Sequence, residues 1–452
     1  MSVRLGFWKP NGSASNPNDE DGRLKQLFRR EDNLVGRTIT SGRESVETKL
    51  PDLADDHLEG SSAWWQSFLR NGIKPTPPAG ETINIVDAFC GSGGLALGVK
   101  TAIEALGNKA NFAAVIDTDA VALDIHRANL GSRRCISSSV ATLVDYHVLG
   151  LGEEARFGYE PEVVDPALSD IGPVDMFIAG PPCQGHSNLN NHTRRQDPRN
   201  DLYVAAAALG VALGAEMVII ENVPTVLNSH SNVVATAVGL LRSAGYGVSM
   251  SVLKADELGS AQRRNRHFLL AVRNCEIPSD YLARTARELA AEPLPVSWAI
   301  GDLLDVASDN LFDTAPTLSS VNVDRIDYLF DNDLHDLPDA QRPDCHKNGT
   351  TYTAVYGRIH WDKPAQTITT GFGTPGQGRY IHAMRRRVIT PHEAARIQGF
   401  PDWFDFAPPG TDVKRKNLAK WIGDAVHPIL GYAVALSALT AAEKLASVRD
   451  AA

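Results

Sequence analysis

Val174-Asp175-Met176-Phe177-Ile178-Ala179-Gly180-Pro181-Pro182-Cys183-Gln184-Gly185-His186-Ser187 is the stretch on which the reading of this 452-residue chain turns. The apolar run 174–179 reads as a buried strand, and it ends at a glycine. Two prolines then fix the backbone, and Gly185 lets the chain turn away soon after Cys183. The arrangement presents one thiol at the end of a strand, where open α/β sheets place their ligands. By itself Pro-Pro-Cys also fits a buried cysteine in a turn, so the choice rests on the surrounding sequence.

On either side of this segment, strand and helix signals alternate. Strands are expected over 83–86, 113–116 and 217–220, and helices over 94–106, 120–129 (N-capped by Asp119) and 232–244. A hairpin-like pair, 248–253 and 267–272, closes the set. Such alternation predicts an α/β fold built on a doubly wound, mostly parallel sheet. Residues 1–80 are rich in Asp, Asn, Ser and Pro, and read as a polar, partly disordered N-terminal extension with one helix over 61–70; Trp64-Trp65 is read as packing. The segment 75–80 is a linker. Residues 81–274 form the expected first domain, 275–385 a smaller loop-rich second domain, and 386–452 a C-terminal return with an Ala-rich closing helix over 431–445.

Composition narrows the class. The hydrophobic fraction of 43% and charged fraction of 22% are those of a globular chain, and no apolar stretch reads as long enough to cross a bilayer. The first 20 residues lack the apolar segment of a secretory signal. Five scattered cysteines with no C-x-x-C pair argue against a disulfide framework and a zinc site, and for a reducing compartment. A formal net charge of −10 speaks against a nucleic-acid partner. The basic residues, however, gather in four knots: Arg194, Arg195 and Arg199; Arg263, Arg264 and Arg266; 385–387; and 414–416. Each fits a solvated face, and together they fit one cleft that tracks phosphates.

Three further strand ends carry chemistry. The Asp87-Ala88-Phe89-Cys90-Gly91-Ser92-Gly93-Gly94 turn opens a helix, whose N-terminus favours an anionic group approached closely by glycine backbone. Asp117 ends the next strand, where a carboxylate accepts hydrogen bonds from ribose hydroxyls; helix entry is its alternative role. Together they suggest a nucleoside-containing cofactor. Glu221, in Glu221-Asn222-Val223-Pro224, leaves an apolar strand partly desolvated, which raises its pKa and suits it to hold a proton. Gln262, Arg264 and Arg266 share one face before a strand, and two guanidiniums beside a thiol would depress its pKa.

The order FCGSGG, GPPCQGHS, ENVP, QRRNR, RRRVITPHEAARIQGFPD, IGDAVHP resembles the cytosine-C5 DNA methyltransferase family from about residue 83 to the C-terminus. The resemblance implies the class I S-adenosylmethionine-dependent methyltransferase fold, with 275–385 as target-recognition domain. Carried over by position, Cys183 is the nucleophile and Glu221 the residue that hydrogen-bonds the cytosine. Arg264 supports the cytosine carbonyl, and Arg266 orients neighbouring groups. The loop 184–195 closes on a flipped base. Phe89, Gly91, Gly93, Asp117, Thr118, Asp201, Leu202, Asp424 and Val426 are the implied contacts to S-adenosylmethionine. Gln184, Ser187, Gln262, Thr367 and Thr369 are the implied substrate contacts; Thr367-Ile368-Thr369-Thr370 resembles the family's recognition motif.

Three positions depart from the family pattern. Ala88-Phe89-Cys90 changes packing mildly. Asp424 stands where Asn is commoner, placing a carboxylate near the cofactor's amino-acid end, favourable for its ammonium and unfavourable for its carboxylate. Ser137-Ser138-Ser139 replaces a stretch that normally offers an Asp to the adenine. Double-stranded DNA is the expected partner, with a separately encoded restriction or defence nuclease, a monomer acting on DNA, no membrane association, and a cytoplasmic, nucleoid-associated location. The weighed alternatives are a tRNA cytosine methyltransferase, disfavoured because no Cys-Phe-Thr occurs, and a catalytically idle nucleic-acid-binding homologue.

Overall fold

The computed structural model describes residues 24–41, 44–182, 201–229, 231–306, 308–347 and 354–451. The N-terminal region is more ordered than its composition suggests. Strands β1 (Lys25–Glu31), β2 (Leu34–Ser41) and β3 (Glu44–Pro51) form an antiparallel meander, followed by helix α1 (Gly60–Arg70). Val35, Arg37 and Ile39 alternate onto the inner face of β2, and all three are buried. The Arg37 guanidinium lies 3.8 Å from the Trp64 ring centroid and 5.2 Å from that of Tyr432, an arrangement in which aromatic faces replace water around a buried cation. Burial lowers its pKa. The reading of a polar extension with a single helix is corrected accordingly for residues 24–70.

The main sheet contains β4 (Thr82–Ala88), β5 (Lys109–Asp117), β6 (Cys135–Ser137), β7 (Met176–Ala179), β8 (Met217–Asn222), β9 (Tyr246–Lys254) and β10 (Asn265–Arg273). Its spatial order is β9-β10-β8-β7-β4-β5-β6. The five strands from β8 to β6 run parallel; β10 pairs antiparallel with both β8 and β9. Helices α2 (Gly94–Ala105) and α3 (Ala120–Leu130) follow β4 and β5, and α4 (Leu202–Ala212) and α5 (Val233–Ser243) cover the opposite face. As expected, Asp119 caps α3, its carboxylate accepting from the Val121 and Ala122 amides. Because successive residues alternate faces, Ile83, Ile85 and Ile219 feed one core and Val86, Val218 and Ile220 the other. The order reverses between β4 and β7, which creates a crevice at their C-terminal ends.

After the hairpin, α6 (Tyr281–Glu288) packs on β9, with Tyr281, Leu282, Val296 and Trp298 all in the first core. Residues 275–303 thus belong to the main body, and the expected domain boundary moves later. The smaller lobe has its own core of Ile326, Leu329, Leu337, Val355, Tyr356 and Ile381 around α7 (Ser320–Asp331). The chain returns through α8 (Pro391–Ile397), closed by a Thr390/Glu393 capping box, then α9 (Arg415–Asp424) and α10 (Pro428–Ala451). The helical stretch Arg415–Glu443 is long and apolar enough to cross a membrane, contrary to the sequence reading, but 89% of its apolar window is buried inside the protein.

Helix α10 meets α2 so closely that a Cβ on Gly98 would stand 2.0 Å from the Pro428 carbonyl oxygen. Backbone cannot yield as a side-chain tip can. Gly98→Ala is therefore expected to destabilise the fold by roughly 3 kcal/mol or more, read as a lowered midpoint in urea unfolding. Three buried histidines set the acid limit. Burial depresses His267 and His382 to about 4 and His427 to about 3. Unfolded, each takes a proton below about 6.5. The unfolded chain therefore binds more protons as pH falls from 6.5 towards 4, and stability drops in that window by up to about 1.4 kcal/mol per pH unit per histidine. Thermal unfolding at pH 7.5, 6 and 4.5 should show the fall, and His427→Gln should flatten it.

Candidate active site

The loops that leave β4, β7 and β8 meet at the crevice. In the first, Phe89 (φ 55°), Gly91 (φ 50°) and Gly93 (φ 97°) are all left-handed. Glycine accepts this without penalty, whereas for Phe89 it costs about 1–2 kcal/mol; such strain concentrates at ligand-binding loops. Asp117 holds the loop: its Oδ2 accepts from the Gly91 amide at 2.8 Å and its Oδ1 from the Asp119 amide at 2.8 Å. Each carboxylate oxygen keeps a second lone pair for a ligand hydroxyl. Thr118 beside it is exposed, and Ser138 donates its amide to the Asp117 carbonyl at 3.2 Å.

The C-terminal return covers the other flank of this loop. A Cβ on Gly94 would lie 2.3 Å from the Val426 carbonyl and 3.0 Å from Ala425 Cβ. Ser92 Oγ donates to the Trp421 carbonyl at 3.0 Å, and Trp421 Nε1 donates to Asp119 Oδ2 at 3.2 Å. Asp424, the last residue of α9, lies 3.3 Å from Lys420 Nζ. Phe89, Gly91, Gly93, Asp117, Asp424 and Val426, far apart in sequence, thus surround the N-terminus of α2. Asp201 is the N-cap of α4 and Leu202 its first residue. The cradle of left-handed backbone, a helix N-terminus and an acidic strand end fits a nucleoside carrying a zwitterionic tail.

Glu221 lies near the end of β8, and only 6% of its surface is exposed. Burial raises its carboxyl above the usual range, against the pull of Arg266 and Arg264. Arg266 Nε lies 2.8 Å from Glu221 Oε1. The other oxygen, Oε2, is 3.6 Å from where a Cβ on Gly180 would stand, and Asn222 Nδ2 donates to the Pro181 carbonyl at 3.3 Å. The carboxyl therefore abuts the turn that leads to Cys183. Cys183, Gln184 and Ser187 lie outside the described residues.

Several expected roles are corrected. Arg264 is buried and donates to the carbonyls of Ile368 (2.9 Å), Ala425 (2.7 Å) and Gly423 (3.3 Å), tying the segment around Ile368 and the C-terminal return together. The guanidinium beside the carboxylate is that of Arg266. Gln262 has no exposed surface; it donates to Ile397 O and Gln398 Oε1 and accepts from the Ile368 amide, so it is an interior strut and not a DNA contact. Thr367 Oγ1 donates to the Arg263 carbonyl at 2.7 Å, and Thr369 Oγ1 shares a 2.7 Å hydrogen bond with the Tyr380 hydroxyl. Both threonine hydroxyls thus have partners within the protein, that of Thr367 at the surface and that of Thr369 partly buried.

The basic knots do not merge into a bare cationic strip among the described residues. Arg385 pairs with Asp305, Arg386 with Asp327 and Asp331, and Arg387 with Glu393. Arg415 turns to the carbonyls of Leu311 and Thr314. Arg263 stays 65% exposed, 3.9 Å from Asp256, and 194–199 lie outside the described residues. Asp87, Cys90 and His126 bring ligand-type atoms within 4.8 Å of one another. Both ring nitrogens of His126 are nevertheless engaged, with Asp87 (3.1 Å) and Ser132 (2.6 Å), and burial with nearby Asp87 and Asp117 pushes the Cys90 thiol up. The trio reads as a buried hydrogen-bonded brace behind the glycine loop.

The family described as C-5 cytosine-specific DNA methylase matches residues 83–439. A relative named Type II methyltransferase M1.BsuMI, from Bacillus subtilis (strain 168), is 38% identical over 426 residues, 93% of this chain and 96% of its own length. The chain belongs to the C-5 cytosine-specific DNA methylase family. Type II methylase M.HgiDII from Herpetosiphon aurantiacus is 30% identical over 369 residues, 78% of this chain and 94% of its own. The fold is shared with a solved putative DNA modification methyltransferase encoded within an E. coli prophage (TM-score 0.52, 22% identity, 81% of this chain and 99% of that one). It is also shared with the S. pombe Dnmt2 methyltransferase (TM-score 0.53, 18% identity, 80% and 99%). The fold is thus that of the S-adenosylmethionine-dependent methyltransferases, with S-adenosylmethionine as methyl donor. The M1.BsuMI match covers more of the chain than the motifs do, extending beyond the 83–439 region.

Proposed function

We propose that this chain methylates C5 of a flipped cytosine in duplex DNA, through a covalent bond between Cys183 and C6 of the base. Glu221 carries the reading: a buried carboxyl with a raised pKa, paired to Arg266, set against the turn that leads to Cys183. C5 of cytosine is a poor nucleophile. Addition of the Cys183 thiolate to C6 turns the ring into an enamine and makes C5 reactive. Negative charge builds at N3 during that addition, and the Glu221 carboxyl, whose pKa burial raises, hydrogen-bonds N3 and supplies the proton. Arg266, in place of Arg264, supports the cytosine carbonyl, while Arg264 fixes the segment around Ile368 and the 423–425 turn. When bound, S-adenosylmethionine supplies the electrophilic methyl group. Phe89, Gly91, Gly93, Asp117 and Asp424 hold it, with Thr118, Asp201, Leu202 and Val426 at the rim. A base then takes the C5 proton, the C6–S bond breaks to release the Cys183 thiolate, and the N3 proton returns to Glu221, which restores the aromatic ring.

The lobe around 318–381 serves target recognition, with Gln184 and Ser187 meeting the flipped base and its surroundings. The setting is a restriction-modification system with a cognate nuclease, the enzyme acting as a cytoplasmic, nucleoid-associated monomer on DNA. The Type II names of both relatives support this setting. The test is transfer of labelled methyl from S-adenosylmethionine to unmethylated duplex DNA and, in parallel, to unmodified tRNA, with base-resolution mapping. Label at C5 of cytosine in a fixed duplex context is expected; label on tRNA alone would overturn the DNA assignment.

A further inference from the structure

Tyr203, the second residue of α4, is 1% exposed, and its hydroxyl has no hydrogen-bond partner among the described residues. A buried hydroxyl left unpaired is costly, and protein interiors pair such groups with protein atoms or with ordered water. The packing of α4 shows where this one lies. A Cβ on Gly210 would stand 3.0 Å from the Val218 side chain and 3.1 Å from that of Phe177, so α4 crosses β7 and β8 at that level. The short connection 213–216 leads from α4 straight into β8, so helix and strand run in opposite directions. Tyr203 precedes Gly210 by about two helical turns, which puts it on the same helix face about 10 Å further along. A strand covers about the same 10 Å in three residues, and the third residue beyond Val218 is Glu221. Tyr203 therefore lies beneath the end of β8, level with the buried carboxyl.

The neighbours of Glu221 leave this hydroxyl a role. On the β10 side, Arg266 Nε lies 2.8 Å from Glu221 Oε1 and Arg264 adds a second positive charge. On the β7 side only Gly180 and Pro181 reach this level, and neither ionises. Asn222 spends its amide on the turn, donating to the Pro181 carbonyl and accepting from the Val223 amide, so it does not serve Tyr203. His267 stands opposite Asn222 in the β8–β10 register. It is 1% exposed, burial keeps it neutral, and neither ring nitrogen has a partner among the described residues, so it offers a water a second polar contact. Asp201, at the N-cap of α4, is exposed. Burial and the Glu221 charge together push the Tyr203 hydroxyl up, so it stays a protonated donor. We propose that Tyr203 is a positioning residue for Glu221: its hydroxyl donates to an ordered water at the end of β8, and that water donates to the carboxyl. This rests on the reading of Glu221 as the acid that protonates N3. A donor favours the ionised carboxylate and so offsets part of what burial does. Tyr203 thereby keeps Glu221 acidic enough to release its proton and holds the carboxyl in place.

Tyr203→Phe removes the hydroxyl and keeps the ring. Its kcat for methyl transfer is expected to fall about tenfold, the scale of one hydrogen bond to an ionisable group, with KM for DNA and affinity for S-adenosylhomocysteine within about twofold. The descending limb of the pH profile should move up by about half a pH unit, roughly a threefold gain in proton affinity, because the carboxylate loses a donor while Arg266 and Arg264 remain. On a Glu221→Gln background, which has no carboxyl to tune, Tyr203→Phe should add less than about twofold. The thermal midpoint should not rise. An unchanged rate and pH profile would overturn the link, and a raised midpoint beside them would mark the hydroxyl as merely orphaned. A further loss of about tenfold on the Gln background would also overturn it, since Tyr203 would then act without Glu221. If Glu221→Gln alone keeps the full rate and the descending limb, the assignment of Glu221 is wrong, an outcome separable from failure of the link.

Discussion

Cys183→Ala is expected to reduce methyl transfer to DNA below detection, a loss of at least about 10⁴-fold, with S-adenosylhomocysteine affinity unchanged within about twofold. The size of the effect follows from the chemistry. Without a thiolate at C6, C5 has no enamine electron density to offer, and alanine cannot form the covalent bond. The proposed cofactor residues lie on the loop after β4, at the end of β5, at the start of α4 and on α9 and the turn after it, and none is Cys183. Labelled-methyl transfer and calorimetry on the same preparation decide the matter. Measurable turnover in the alanine variant would overturn the covalent mechanism.

Glu221→Gln should lower the rate of transfer about 10²- to 10³-fold, the usual worth of a positioned acid, with little change in cofactor affinity. The pH profile distinguishes this from loss of shape. Burial raises the Glu221 pKa while Arg266 and Arg264 oppose the rise. In the wild type, activity should climb with pH as the Cys183 thiolate forms, then fall as Glu221 loses its proton. Glutamine cannot ionise, so the variant should keep the rising limb and lose the descending one. A descending limb that persists in the variant would assign it to another group. Arg266→Ala removes the cation 2.8 Å from the carboxylate, so it should move the descending limb to higher pH as well as slow the reaction. Arg264 also opposes the rise, but its guanidinium is engaged by backbone carbonyls, so its loss should in addition lower the stability of the fold.

Much of the site was legible because its parts sit at strand ends. An apolar run followed by a change of pattern marks where a parallel strand stops, and the structure places Glu221, Asp117 and the 89–94 turn at such strand ends, while Cys183 lies outside the described residues. Elements whose pattern was diluted were not found. In β1 to β3, outward-facing charged residues break every apolar run, so 24–51 looked like a polar tail. Arg37 hid the inner face of β2 further, since an arginine between Val35 and Ile39 reads as solvent-facing until Trp64 and Tyr432 are seen around it. The second-domain boundary was placed early because α6 is short, and only its packing on β9 and α10 shows which core it joins.

The sequence by itself determined the doubly wound fold, the order of the motifs and the set of groups at the sheet's C-terminal edge. Those properties depend on local periodicity and spacing, which a chain carries in any conformation. Tertiary structure alone decided which of two near-identical arginines meets Glu221, that Gln262 is an interior strut, and that Lys420 reaches Asp119 at the start of α3. Each outcome depends on partners the fold brings from elsewhere in the chain: β10 pairing against β8, carbonyls at 368, 423 and 425, more than 100 residues from Arg264, claiming its guanidinium, and α9 folding back over the glycine loop. A guanidinium takes whichever oxygens the fold brings to it.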